Sequence, residues 1–142
     1  MTTLTDEMKK ELVHNTIAAF NARELERYLS YHTEDATSWE VYFPKPLSIK
    51  ESLDFIPAYW HAFPDARVDT QRIYVCGDCV IVENLVSGTF VNEFLGVKPT
   101  GKRFEQREGV FFDLRGDKIA AVRIYLDRKS QEEQLGVVFG ST

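Results

Sequence analysis

From Val68 to Asp127 the chain is a succession of apolar–polar runs separated by short glycine-bearing connections, and no other feature limits its fold as much. The runs occupy residues 68–76, 79–90, 103–113 and 118–127. Period-two alternation is the signature of a strand with one buried face, and two- or three-residue glycine turns are the signature of hairpins. Gly77-Asp78 and Arg115-Gly116-Asp117 are such turns, and the longer stretch GVKPTGK, residues 96–102, joins the middle pair. Four consecutive strands of this kind form an antiparallel meander.

The first third of the chain reads differently. Thr5 can cap a helix with Asp6 and Glu7 in its first turn, and Met8, Leu12, Val13, Ile17 and Phe20 recur at helical spacing. A short second helix is expected over residues 23–31, and an alternating strand near residues 37–43. Ser48 and Glu51 make a capping box that opens a third helix carrying Leu53, Ile56, Tyr59, Trp60 and Phe63. The reading is α+β: N-terminal helices packed on a curved antiparallel sheet in one domain, residues 1–142, with a cone-shaped space that suits a small molecule.

Two short motifs invite chemistry that their surroundings do not support. GVKPTGKR, residues 96–103, satisfies G-x-x-x-x-G-K, but a phosphate-binding loop must leave a strand and open a helix, and RFEQREGVFFDL after it reads as a strand. Pro99 also removes one of the backbone donors such a loop depends on. Cys76 and Cys79 form C-x-x-C, yet they flank a hairpin tip and not a helix N-terminus, and zinc would need two further ligands. His14, His32 and His61 lack metal spacing, so no metal is expected.

A net charge of −5 without a basic cluster argues against nucleic acid and anionic membrane as partners. Met1-Thr2-Thr3 begins no signal peptide and no apolar run approaches the roughly 20 residues of a membrane span, so a cytoplasmic setting is the expectation.

FPDARV, GDCVIV, GTFVNEFLGVKPTGK, GDKIAAVRIYLD and QLG, in that order between about Ala62 and Gly136, resemble the SnoaL-like polyketide cyclases of the nuclear-transport-factor-2-like superfamily. The resemblance implies a cone-shaped α+β barrel and a homodimer or homotetramer formed through the sheet. It further implies a cofactor-free aldol ring closure on a polyketide ester, a lyase- or isomerase-type activity on a hydrophobic small molecule. It gives GVKPTGK a place as the connection between two pocket-lining strands. It also carries the family's acid/base Asp to Asp127, in Ile124-Tyr125-Leu126-Asp127.

Alternation puts Arg123, Tyr125 and Asp127 on one face and Val122, Ile124 and Leu126 on the other. If the first row faces the cone, Asp127 is the proton carrier and Tyr125 a donor to the developing oxyanion. Otherwise Asp127 ends a strand and caps the next segment. The sequence departs from the family where Phe90 stands after Gly88-Thr89, a position that in one version of the motif holds a pocket-facing His. Asn84 shares the face of Phe90, and Arg123, Trp39, Tyr42, Tyr59, Trp60 and Phe63 complete the candidate ligand wall. On the next strand Gln106 and Glu108 share one face, Glu105 and Arg107 the other, and alternation alone leaves the inward pair open. Three functions remain: a cyclase with Asp127 as general acid/base, a non-catalytic binding module, or an enzyme of the ketosteroid isomerase or epoxide hydrolase kind.

Overall fold

The computed structural model of the chain describes residues 3–140. Thr5 caps the first helix, α1 (Asp6–Asn21), its hydroxyl accepting from the Met8 amide at 3.1 Å, with Asp6 and Glu7 at the positive end of the helix dipole. Asn21 ties the end of α1 to the sheet: its amide donates to the Val68 carbonyl at 2.8 Å and accepts from the Val68 N–H at 2.9 Å. After α2 (Leu25–Ser30) come β1 (His32–Trp39) and the short β2 (Leu47–Ser48). Arg23, at φ +63°, turns back before α2 to bond the carbonyls of Pro64 and Ala66, each at 2.8 Å.

The capping box forms as expected: Ser48 accepts from the Glu51 amide while the Glu51 carboxylate accepts from the Ser48 amide, opening α3 (Ile49–Ala62). Four long strands follow, β3 (Arg67–Cys76), β4 (Cys79–Thr89), β5 (Arg103–Arg115) and β6 (Lys118–Leu126). Their ends lie within two residues of the alternating runs. All six strands belong to one sheet in the order β2-β1-β6-β5-β4-β3, antiparallel except where β1 runs parallel to β6. Strand β1 begins at His32, earlier than its polar sequence suggests, and a fourth helix, α4 (Arg128–Leu135), adds to the three expected from the sequence.

Both motif readings hold as geometry. Cys76 and Cys79 face each other across a turn whose Gly77 has φ +60°. Residue 103 opens a strand and no helix, and the amide of Gly101 is spent on the Phe90 carbonyl at 2.8 Å. Among the described residues no three His, Cys, Asp or Glu side chains gather as a metal-holding group, and no helix is long and apolar enough to cross a membrane.

The core has two parts. Phe63, Phe90, Phe94, Phe104 and Phe139 form an aromatic cluster with Tyr42 and Leu135, whereas Val13, Val80, Val82, Val110, Phe112 and Ile119 form an aliphatic one. Gly88 is needed in the first: a Cβ there would stand 3.2 Å from both Phe63 Cβ and Phe104 Cε1. Gly109 on β5 has nothing within 4 Å of the same position. Gly88→Val is therefore expected to lower stability in urea denaturation by about 1–3 kcal/mol, through overpacking, while Gly109→Ala leaves it unchanged or slightly raised.

Candidate active site

Between the two clusters lies a cavity of about 120 Å³, walled by α1, α2 and α3 on one side and the inner face of the sheet on the other. Phe20, Tyr28, Phe55 and Tyr59 supply aromatic wall from the helices, and Val122, Ile124 and Leu126 supply the β6 floor. A partly open space of this size holds a group of roughly one aromatic ring.

The β6 floor settles the parity of that strand against the expectation. With the apolar row inward, Arg123 and Tyr125 point out, and Tyr125 is 57% exposed. Outside, Arg123 pairs with Asp113 and lies 5.3 Å from the centroid of the Phe111 ring, which Tyr125 meets edge-on at 5.8 Å. Asp127 follows the last strand residue and caps α4, its carboxylate accepting from the Ser130 amide at 3.0 Å. Neither Tyr125 nor Asp127 reaches the cavity. The physical reason is ordinary burial: the row Val122, Ile124, Leu126 gains more from the interior than a row holding Arg and Asp.

Other expected wall residues divide. Tyr59 and Asn84 line the cavity. Phe90 does not, because it is fully buried in the aromatic cluster, stacked on Phe63 with ring centroids 5.3 Å apart. Phe63 is equally enclosed there. Trp60 turns away to pack on Phe20 beneath Arg23, and Trp39 is 44% exposed on β1. Of the alternatives on β5, Glu108 faces inward, while Glu105 and Arg107 are exposed.

Two carboxyls share the cavity. Glu108 is the Cα partner of Asn84 across β4 and β5, and Asn84 Nδ2 donates to Glu108 Oε2 at 3.0 Å. Asn84 is only 2% exposed, and its Oδ1 has no partner among the described residues. Glu40, just past β1, accepts from Ser38 Oγ at 2.8 Å. The second oxygen of each carboxyl has no protein donor among the described residues. Both side chains keep a part of their surface free, and both line the cavity, so protein surrounds them on its far side as well.

Burial accordingly pushes both carboxyls up to about 7, with the Glu108 charge adding to the effect on Glu40. Burial also raises the phenols of Tyr28, Tyr42 and Tyr59, which stay protonated. It lowers His32, whose Nδ1 donates to the Tyr28 carbonyl at 2.9 Å. Tyr42 hydroxyl donates to Gln131 Oε1 at 2.7 Å, joining the cavity wall to α4. Glu40, Tyr28 and His32 are absent from the sequence-based candidates, although Ser38, Glu40 and Tyr42 alternate with Trp39 and Val41 in plain view.

A helix layer on one face of a mostly antiparallel six-stranded sheet, with a small cavity between them, is the nuclear-transport-factor-2-like fold. Within it, the profile of the SnoaL-like polyketide cyclases matches residues 10–135, and the chain belongs to that family. Among solved structures it is similar to IdmH of Streptomyces antibioticus, described as a candidate polyketide cyclase, with 26% identity, TM-score 0.76, and 91% and 99% of the two chains covered. It is also similar to a candidate SnoaL-like polyketide cyclase from Jannaschia sp. CCS1 (17% identity, TM-score 0.85, coverage 97% and 99%). AclR of Streptomyces galilaeus, described as a candidate hydroxylase, shares 21% identity at TM-score 0.81, with 93% and 98% covered. No functionally curated protein sequence matches.

Two measurements check this site. Both carboxyls bind protons more tightly folded than unfolded, so their contribution to stability is greatest below the ordinary carboxylate range, falls as pH rises towards 7, and stays low above it. The thermal midpoint should drop between pH 5 and pH 8, and Glu40→Gln or Glu108→Gln should each flatten that drop, by roughly 1–3 kcal/mol. At the other location, Asp127→Ala should cost about 1 kcal/mol through the lost cap, whereas Asp127→Asn, an equally good cap, should cost almost nothing. A catalytic Asp127 would remove that order in turnover, with Asn as damaging as Ala.

Proposed function

We propose that the protein is a general acid/base enzyme acting on a hydrophobic, carbonyl-bearing small molecule, a polyketide cyclase-like activity in which Glu40 and Glu108 move the protons. What carries this reading is that two carboxyls with a free oxygen each face one apolar cavity. Near neutral pH such a pair holds about one proton, so one member is an acid while the other is a base. The carboxylate takes a proton from the carbon next to a carbonyl, the carboxylic acid hydrogen-bonds the oxygen that becomes negative, and the enol carbon forms the new C–C bond. The aldol oxygen receives its proton from the acid, and the pair ends with the proton count it began with. The phenols of Tyr28 and Tyr59, kept protonated by burial, are further donors for that oxygen.

Family membership supports the reaction class, and the cavity supports the size: about 120 Å³ takes the reacting ring of a larger substrate. A second reading, a binding module of the same fold, draws on one observation. Phe90 stands where one version of the family motif that the sequence resembles holds a His, and it is sealed in the core.

The assay offers polyketide methyl esters and ketosteroids to the wild type, Glu40→Gln, Glu108→Gln and Asp127→Asn. An acid/base pair predicts a bell-shaped rate profile centred near pH 7, a loss of roughly 10²–10⁴-fold in each Gln variant, and little change in Asp127→Asn. Binding of several compounds without conversion of any by the wild type, across the pH range, assigns the cavity to a binding module.

A further inference from the structure

We propose that the same cavity binds hydrophobic amines in their protonated form, the ammonium held by Glu40 and Glu108 and the carbon body laid against the aromatic wall. This rests on the reading above only in placing those two carboxyls at the cavity wall, and turnover is not required for it.

The argument begins with charge. The titratable side chains facing the cavity are Tyr28 from α2, His32 from β1, Glu40 and Tyr42 from the segment after β1, Tyr59 from α3 and Glu108 from β5. Neither α1, β4 nor β6 adds a charged group, and no Lys or Arg lines the cavity among the described residues. The nearby Arg128, 6.0 Å from the Tyr42 ring centroid, is spent on the carbonyls of Val41 and Phe139 and on Glu132. Lys118 is spent on the Ser30 carbonyl. Buried carboxylates are almost always paired, because taking one from water without a counter-ion costs several kcal/mol. Here no Lys or Arg among the described residues lines the cavity to serve as that counter-ion.

Hydrogen bonding points the same way. Asn84 and Ser38 each satisfy one oxygen of a carboxyl that lines the cavity, which leaves the other oxygen as an acceptor without a donor among the described residues. An ammonium brings several donors and the missing positive charge together. The remaining apolar wall suits its carbon skeleton, and ring faces attract a cation within about 6 Å of their centroids. Phe20, Tyr28, Phe55 and Tyr59 provide four rings.

Protons give a signature that packing alone cannot imitate. Both carboxyls are held up to about 7 by burial, so below that pH an arriving cation must expel a proton. His32, neutral at pH 7 because burial lowers it, adds only repulsion in acid. Amine binding should therefore strengthen from pH 5 to pH 8.

The test is titration calorimetry with benzylamine and its neutral near-isostere benzyl alcohol, at pH 5, 6.5 and 8, in two buffers of different ionisation enthalpy. The expected result is a preference for benzylamine of about tenfold or more at pH 8, collapsing at pH 5. Proton release on amine binding at pH 6.5 and none with the alcohol complete the pattern. Glu40→Gln and Glu108→Gln should each reduce the preference, and the double variant should abolish it while still binding the alcohol. If a variant does not fold, the pH dependence and proton release of the wild type decide alone. Equal affinity for the two probes at every pH, or an unchanged preference in a folded double variant, overturns the proposal. Turnover separates the two ideas. Gln variants that lose activity without any amine preference in the wild type sink this inference and leave the enzyme reading standing, and amine preference with undiminished turnover in the Gln variants does the reverse.

Discussion

The pairing of β4 with β5 is the constraint on which the rest depends. It runs without a shift from Cys79 opposite Asp113 to Thr89 opposite Arg103. Because side chains alternate, one unbroken register decides at once which half of each strand meets the helices. It places Val80 with Phe112 and Val82 with Val110 in the aliphatic cluster, Gly88 with Phe104 in the aromatic one, and Asn84 with Glu108 between them. The polar pair sits where the two apolar clusters leave a gap. A slip of one residue would turn Glu108 to solvent and Arg107 inward.

A carboxyl in such a gap is costly, and the architecture concentrates the cost in few places. Asn84 spends its amide on Glu108 and Ser38 its hydroxyl on Glu40, each a single hydrogen bond that offsets part of the lost hydration. The unpaired remainder shows itself as the raised affinity of both groups for a proton. Stability and chemistry thus pull on the same atoms: the clusters on either side hold the fold, and the strip between them keeps its carboxyls half-satisfied and available.

Legibility in the sequence depends on which residues carry signal. The long strands were legible, because Gly77, Gly116 and the alternating runs around them have few other readings. Helix α3 was, through Ser48 and Glu51. Helix α4 was not, since RKSQEEQL has no apolar stripe and buries little beyond Gln131 and Leu135; only its ends, Asp127 and the left-handed Gly136, mark it. The inward row of β5, Phe104, Gln106, Glu108, Val110, Phe112 and Leu114, is the more apolar of its two rows when the whole strand is counted, but from Glu105 to Glu108 the strand is polar on both faces. On β6 the apolar row was plain, and the expectation followed the family's Asp instead. Resemblance placed the fold correctly, whereas local alternation was the better guide to which side chains meet the cavity.

Asp127 nevertheless has a physical route to the cavity. It caps α4, α4 carries the fully buried Gln131, and Gln131 accepts the Tyr42 hydroxyl at the cavity wall. Tyr42 also packs edge-on against Phe94 and Phe139, with centroids 5.5 and 5.9 Å away, so its ring is shared between wall and aromatic cluster. A loosened cap frees the first turn of α4, and the displacement reaches Tyr42 through one hydrogen bond. An effect of altering Asp127 on ligand handling would then be mechanical, graded by how well the replacement caps a helix and not by whether it can carry a proton. The same position can matter throughout a family for different reasons, and the side chain's direction from its strand, not its alignment to a motif, decides which reason applies here.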